Sequence, residues 1–350
     1  MFNSAPSLVK STSLIVFIFL IISGLYFASQ FLIPIAISIL LSMLLIPLSN
    51  YFEKKGLNRI WASLICIILM ISLFGGIIYL VSLQAAGISD NLREIFLRIQ
   101  QMIIEVQKFL AETVGISTQI QKIWIDKQTN NGTNDAIILA GSFLSYLMGI
   151  MIKSILVIVY TFLLLTSRSH LKQFILMLVP KEEVKETERL ISDASKVSQN
   201  YLSGLGIMVV ILWIMYGIGF SIIGVESAIF FAVLCGILEI VPFIGNLTGT
   251  GLTILMVISQ GGSNSMVLGV FLTYMFIQFV QTYFLEPLVV GAEVNINPLF
   301  TILVLVFMEI IWGVPGMIMA IPMLGIVKII CDHVKPLKPY AFLIGKHKKS

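Results

Sequence analysis

Five glutamates lie in a half of the chain that has no basic side chain. Between Tyr201 and Val327 the sequence contains no Lys, Arg or His. A carboxylate at membrane depth costs roughly 2.5–3.5 kcal/mol on insertion scales and usually needs a partner. Each group is therefore expected to be protonated, to hold a bound cation, or to sit in water at the membrane interface. The five residues are Glu226, Glu239, Glu286, Glu293 and Glu309.

Glu239 and Glu309 are the two glutamates most deeply embedded in apolar sequence. Glu239 is followed by Ile240-Val241-Pro242, and a proline removes a backbone donor and interrupts a helix. Carbonyl groups near positions 238 and 239 are then expected to be free, which predicts a proton or sodium site at Glu239. A plain structural hydrogen bond is the alternative for both residues. For the other three we favour structural roles, with Glu286 capping a break at Pro287.

Two glutamines supply further polar groups in the same half. Gln278 and Gln281 lie three residues apart on one helical face, with Tyr274 a turn earlier. They either line a polar path or form hydrogen bonds between helices, and the second is the commoner use. Gly245 and Gly249 form a small-xxx-small pair that is suited to close helix contact.

The patterns of several enzyme classes are missing from the sequence. His170, His333 and His347 all fall outside the apolar segments, so neither an intramembrane HExxH zinc site nor a buried Ser–His pair is predicted. There is no GxxxxGK[ST] loop, and Cys66, Cys235 and Cys331 show no metal-binding spacing. We predict that the protein is not an enzyme, has no cofactor or metal beyond a sodium ion at Glu239, and does not bind nucleic acid.

The composition predicts the elements that hold these residues. Hydrophobic residues make up 58% of the 350 positions, charged residues 11%, and the mean hydropathy is +1.00. A soluble domain carries about 25% charged residues, so the lipid bilayer is the expected solvent. Long apolar runs favour helices over a barrel. The expected fold is an all-α polytopic integral membrane protein with about seven to eight transmembrane helices.

Residues 1–83 are predicted to form the N-terminal transmembrane helices. Ser13 to Ala28 and Phe31 to Leu48 are separated by only two residues, which favours a tight helical hairpin. The loop from Glu53 to Arg59 holds three cations and is predicted to be cytoplasmic by the positive-inside rule.

Residues 84–135 change character and are predicted to form an amphipathic extramembrane helical segment. It either packs on its own transmembrane domain, lies on the membrane face, or contacts a neighbouring subunit, and we expect it on the side opposite the basic loops. Residues 136–167 follow as a transmembrane helix and residues 168–200 as a cytoplasmic connector. The apolar stripe of the amphipathic segment consists of Ile88, Leu92, Ile95, Ile99, Met102, Val106 and Phe109.

Residues 201–331 are predicted to form the C-terminal transmembrane core. The apolar segments 227–241 and 247–258 are too short for a comfortable span of about 30 Å, which predicts a re-entrant hairpin or broken helices. The run 299–330 is too long for one span and is interrupted between Trp312 and Gly316. The basic tail, residues 332–350, is expected in the cytoplasm, which requires a hairpin or a steeply tilted broken helix in that run.

Four segments of this core resemble motifs of the autoinducer-2 exporter (AI-2E) family, and they occur in the family's order. The family's Asn-Pro-Leu also matches Asn297, Pro298 and Leu299. This chain departs from the usual pattern in having Glu239 where many members have Asn, and in lacking an acidic residue and Asn near Gln281-Thr282. The four segments are Glu239-Ile240-Val241-Pro242-Phe243-Ile244-Gly245, Phe284-Leu285-Glu286-Pro287-Leu288-Val289-Val290-Gly291, Trp312-Gly313-Val314-Pro315-Gly316-Met317 and Met319-Ala320-Ile321-Pro322.

The resemblance implies a multi-pass protein of a bacterial or archaeal inner membrane that exports autoinducer-2 or exchanges sodium for protons. It also implies a homo-oligomer, with a pentamer as one form. Three functions stay open: export of a small polar solute with or without ion coupling, sodium (cation)/proton antiport, and a non-transporting membrane scaffold. The pathway candidates are Glu239, Pro242, Gly245, Gln278, Gln281, Glu286, Pro287, Asn297, Pro298, Glu309, Gly313 and Gly316.

Overall fold

The computed structural model describes residues 7–89, 134–240, 244–290 and 296–346. Every long element in these ranges is a helix, which confirms the all-α prediction. The helices are α1 Ser7–Phe27, α2 Ser29–Lys54, α3 Arg59–Ser89, α4 Asn134–Met177, α5 Val184–Ile223, α6 Ala228–Leu238, α7 Ile244–Ser259, α8 Asn264–Val280, the π-helical segment Gln281–Val290, α9 Pro298–His333 and α10 Lys338–Ile344.

Among the described residues, six helical stretches are long and apolar enough to cross a membrane. Three shorter apolar helices accompany them: Thr12–Phe27, Ala228–Leu238 and Gly245–Ile258. The protein is therefore a polytopic membrane protein. The predicted boundaries after residues 167 and 200 fall inside α4 and α5, which continue without a break. The six stretches are Ser29–Lys54, Arg59–Tyr79, Lys153–Met177, Lys181–Ile223, Asn264–Glu286 and Pro298–His333.

The tight hairpin expected between α1 and α2 is not formed, and that prediction was wrong. Only Ala28 separates the two helices, and its backbone angles of φ −86° and ψ 7° lie in the bridge region next to the helical one, while its N–H and C=O keep helical hydrogen bonds to Gly24 and Leu32. One such residue bends a helix but does not reverse it. The Trp312 indole donates a hydrogen bond to the Leu25 carbonyl oxygen at 3.0 Å, the acceptor that the Ser29 N–H would otherwise use. A side chain inserted into the hydrogen-bond ladder is a recognised cause of a kink.

Helix α9 is a hairpin folded at Gly313. Gly313 has φ 62° and ψ −147°, a conformation essentially restricted to glycine. Ile296, just before the helix, pairs with Gly345, and a Cβ built on Gly345 would lie 3.5 Å from Lys328 Cε. In a straight helix, positions 298 and 328 would be separated by about 45 Å. Of the two arrangements expected from the sequence, the hairpin is the one formed.

Charged side chains gather at one end of the bundle and tie four helices together. Arg168 Nη2 on α4 lies 2.7 Å from Glu53 Oε1 on α2, and Lys172 Nζ lies 2.8 Å from Glu188 Oε1 on α5. His333 Nε2 at the end of α9 lies 4.0 Å from Glu186 Oε1. The basic residues of separate loops therefore share one end, as the positive-inside rule requires.

The far ends of α3 and α4 lie away from this charged end. Helix α3 begins at Arg59 and runs for 31 residues, which is about 45 Å of helix. The chain between Ser89 and Asn134 therefore starts and ends on the side opposite the basic loops. Of the predicted amphipathic stripe, Ile88 lies in the last turn of α3, and the members from Leu92 to Phe109 are outside the described residues.

Candidate functional site

Helices α6 and α7 form a short hairpin against the long helix α5. Trp213 Nε1 on α5 donates a hydrogen bond to the Val233 carbonyl oxygen on α6 at 3.1 Å. Helix α6 has 11 residues, or about 16 Å, which is about half of a hydrocarbon core of about 30 Å. The end of α6 therefore lies part of the way along α5, as expected for a re-entrant or broken structure.

Glycines bring the two arms of this hairpin into close contact. A Cβ built on Gly245 would collide with the carbonyl group of Leu238, and one on Gly249 would lie 3.0 Å from Cys235 Sγ. The small-xxx-small pair expected to form a close helix contact therefore forms one between α7 and the end of α6. This contact places the α6 terminus, and Glu239 after it, next to the first turn of α7.

Glu239 follows directly on α6 and is buried, with 7% of its surface exposed. Gln281 Nε2, at the start of the π-helical segment, donates a hydrogen bond to Glu239 Oε1 at 3.0 Å. Glu239 Oε2 and Gln281 Oε1 are both buried and have no hydrogen-bond partner among the described residues. The structure thus joins a carboxyl group and a primary amide while leaving one oxygen of each unpaired.

A second amide pair lies beside the first. Asn246 Nδ2 on α7 donates a hydrogen bond to Gln278 Oε1 on α8, and Gln278 Nε2 donates to Thr282 Oγ1 at 3.1 Å. Asn246 is also close enough to interact with the Glu239 carboxyl group. Both Gln278 and Gln281 form hydrogen bonds to side chains of other segments, which is one of the two roles predicted for them. We call Glu239, Asn246, Gln278 and Gln281 the amide–carboxyl cluster.

A polar stripe on α7 continues from the cluster, and the sequence analysis missed it. Asn246, Thr250 and Thr253 recur at helical spacing and are all buried. Thr253 Oγ1 donates to the Gly249 carbonyl oxygen at 2.9 Å, and Thr250 lies against the Tyr216 hydroxyl of α5. The repeat of four and three residues between polar positions is the signal that could have revealed this stripe.

The π-helical segment carries Gln281, the residue that pairs with Glu239. It covers Gln281–Val290 and includes Pro287. Turns of the π type are frequent at functional sites. Gln281, at the start of this segment, also interacts with the carboxyl group of Glu286, a residue that is exposed. Gln281 therefore contacts both carboxyl groups of this region.

The remaining predicted candidates do not join the cluster. Asn297 caps α9, where its side chain accepts a hydrogen bond from the Leu299 N–H at 3.0 Å and Pro298 occupies the first turn. Gly313 and Gly316 form the tip of the α9 hairpin, which packs against α1, α2 and α5 rather than against α6 and α7. Glu309 is exposed on the first arm of that hairpin. Pro242, Gly291 and Glu293 lie outside the described residues.

The chemistry of the cluster is that of neutral hydrogen-bonding groups around one carboxyl group. No described Lys, Arg or His forms an ion pair with Glu239, and the sequence offers none between residues 201 and 327. A buried carboxylate in these surroundings is costly unless a proton or a cation neutralises it. Oxygen atoms of the carboxyl, amide and hydroxyl groups are suitable ligands for either.

Comparison with known proteins identifies similar sequences over nearly the whole length. Residues 14–335 match the sequence profile of the family described as "AI-2E family transporter". The candidate transport protein YrrI of Bacillus subtilis is 24% identical over 308 residues, covering 86% of each chain. YhhT of Escherichia coli K12, also a candidate transport protein, is 21% identical over 343 residues, covering 97% of this chain and 93% of its own. A similar protein from Methanocaldococcus jannaschii is 24% identical over 302 residues, covering 85% and 88%.

Proposed function

Because this chain belongs to the AI-2E family of membrane transporters, we propose that it is a secondary transporter that moves a small polar solute out of the cell, coupled to an ion through Glu239. One observation carries the proposal. Glu239 is buried and bound to Gln281 at 3.0 Å, and one oxygen of each side chain is left without a partner. A single positive charge bound between these two oxygens would satisfy both.

A proton satisfies this position with ordinary hydrogen-bond chemistry. If Glu239 carries the proton on Oε2, that O–H is a donor and the open Gln281 Oε1 is an acceptor. Together with the existing N–H to Oε1 bond, this closes an acid–amide ring with two hydrogen bonds. When the proton leaves, Glu239 Oε2 and Gln281 Oε1 lose the hydrogen bond that joined them, and the buried carboxylate is costly.

This difference between the two forms supplies a coupling mechanism. The protonated cluster stabilises the arrangement in which Glu239, at the end of α6, is bonded to Gln281 at the start of the π-helical segment. Loss of the proton favours an arrangement in which Glu239 reaches water or a cation, so that protonation biases two conformations of the hairpin. Turns of broken helices at mid-membrane are where secondary transporters hold substrates and coupling ions.

The lining of the site limits the class of solute. The side chains around Glu239 are amides and hydroxyls, which bind a polar solute by hydrogen bonds. An anionic solute would find no basic partner between residues 201 and 327. The solute expected here is therefore neutral and rich in hydroxyl or carbonyl groups.

The proposal is tested in proteoliposomes that contain a pH-sensitive dye and are loaded with autoinducer-2. An imposed pH gradient should drive efflux in the parent protein. Glu239→Gln keeps the shape and the hydrogen bond to Gln281 but cannot titrate, so it should assemble normally and lose gradient-driven efflux. Glu226→Gln is the matched control, since Glu226 is exposed in the loop before α6, and it should transport like the parent.

Three results would contradict the proposal. Efflux by Glu239→Gln at the parental rate would remove the carboxyl group from the coupling step. A sodium gradient that changes the internal pH without any solute movement would favour sodium/proton antiport instead. No flux of solute, proton or sodium in the parent protein would favour a scaffold.

A further inference from the structure

An apolar groove lies between helices α3 and α4 on the surface of the bundle. It encloses about 280 Å³. Leu64, Ile68 and Val159 are 36%, 51% and 45% exposed, so the groove is open on its outer side. Both helices are long and apolar enough to cross a membrane, and the open side of a single chain therefore faces lipid. The groove is lined by Leu64, Ile67, Ile68, Ile158, Val159 and Phe162.

A cation lies at one end of this groove. Arg59 is the first residue of α3, and its Nη1 donates a hydrogen bond to Ser169 Oγ on α4 at 2.8 Å. Ile158, Phe162 and Ser169 follow one another at intervals of four and seven residues, so they lie on one face of α4. The hydrogen bond therefore crosses the same seam between α3 and α4 that forms the groove.

Positive charge is in excess at this end. Arg168 Nη2 lies 2.7 Å from Glu53 Oε1, and Arg59 Nε lies 3.8 Å from Glu53 Oε2, so one carboxylate faces two guanidinium groups. Lys54 and Lys55, just before α3, are both exposed. The Arg59 side chain is itself 37% exposed, which leaves it accessible to an anion.

The groove lies at the depth of acyl chains in one leaflet. The stretch of α3 that can cross a membrane begins at Arg59, which places this residue at the membrane surface. Leu64 and Ile68 follow at about 8 and 14 Å along the helix. On α4, Phe162 and Ile158 lie about 10 and 16 Å from the residue that Arg59 binds. Half of a hydrocarbon core is about 15 Å, so the groove occupies the leaflet at the charged end.

We propose that this groove binds one acyl chain of an anionic phospholipid whose phosphate pairs with Arg59. A guanidinium group binds phosphate oxygens through charge-assisted hydrogen bonds, and basic pockets between transmembrane helices bind anionic lipid headgroups. The apolar lining accepts the chain of any lipid, so the preference for a negative headgroup comes from the charged end. Helices α3 and α4 contribute no residue to the amide–carboxyl cluster, and this inference does not depend on the proposed function.

Photolabelling in nanodiscs tests the site in the parent protein. The probe is a phosphatidylglycerol with a diazirine in one acyl chain, present as a minor component of phosphatidylcholine discs. Mass spectrometry of the digested protein should find the label on residues 64–68 and 158–162. Added unlabelled phosphatidylglycerol should displace the probe, whereas more phosphatidylcholine should not. A phosphatidylcholine probe with the same diazirine chain should label these positions no more than Leu272, an exposed apolar residue of α8.

Two pairs of variants separate the headgroup from the chain. Arg59→Gln should lower labelling by the phosphatidylglycerol probe about fivefold, the effect of one basic residue near an anionic lipid. Lys196→Gln removes an exposed cation of α5 and should leave labelling unchanged. Val159→Trp fills the groove and should abolish labelling of residues 64–68. Leu272→Trp adds the same bulk to the surface of α8 and should not.

The proposal is overturned if the phosphatidylcholine probe labels the groove as strongly as the phosphatidylglycerol probe, because the headgroup then contributes nothing. Absence of label with both probes would show that protein covers the groove, and would overturn it as well. Full labelling of a folded Arg59→Gln variant would remove this residue from the site. The comparison of the two probes needs no variant, so it decides the matter even if Arg59→Gln does not fold.

Discussion

Gln281 Nε2 donates a hydrogen bond to Glu239 Oε1 at 3.0 Å, joining residues 42 positions apart in the sequence. Both side chains are buried, so this hydrogen bond replaces one that each group would form with water in the unfolded chain. Removing one partner of such a pair is more costly than removing both, because the remaining polar group is left buried without a hydrogen bond.

Gln281→Leu should therefore lower the free energy of unfolding by about 1–3 kcal/mol, since Glu239 keeps its burial and loses its donor. The double variant Gln281→Leu/Glu239→Leu should recover most of this loss. Thermal unfolding in detergent, followed by tryptophan fluorescence, measures the cycle. Purely additive effects of the two substitutions would show that the hydrogen bond contributes nothing to stability.

Gly245→Ala should destabilise the protein because the new methyl group would collide with the backbone carbonyl of Leu238, which cannot turn away as a side chain would. Overpacking of this kind typically costs about 1–3 kcal/mol. Gly251→Ala is the matched control, as it lies in the same helix with open space around it, and it should be neutral or slightly stabilising. Equal melting temperatures for the two variants would contradict the close contact between α6 and α7.

Gly313→Ala should cost about 1–3 kcal/mol, because φ 62° with ψ −147° is a strained conformation for alanine. Gly206→Ala, in the middle of α5 with open space around it, should leave stability unchanged or raise it. The same unfolding assay compares the two. If alanine is tolerated at position 313, the chain does not fold back there in the manner described.

The ion pairs that tie the basic loops to one end of the bundle predict that this end faces the cytoplasm. In a background with the three native cysteines replaced by alanine, a membrane-impermeant maleimide added outside intact cells should miss Lys55→Cys and Lys335→Cys. It should label Gln100→Cys, in the segment that connects the far ends of α3 and α4. Labelling of the first two positions but not the third would invert the proposed orientation.

The sequence predicted the fold class and the places where helices break. Composition and the length of each apolar run indicate whether a segment lies in water or in lipid, and both can be read from the segment alone. An all-α membrane protein could therefore be predicted directly. Proline and glycine are also local constraints on the backbone. The break at Gly313 and the short segments on either side of Glu239 were accordingly visible without a structure.

The tertiary structure alone decided which polar groups meet. Nothing in the sequence paired Glu239 with Gln281, or identified Asn246 as a member of the cluster. The same is true of Ala28, where a kink replaced the expected hairpin, because the Trp312 indole that takes the Leu25 carbonyl comes from the far end of the chain. Such contacts depend on packing between distant helices, and packing is set by the shape of the whole bundle rather than by the preferences of any one segment.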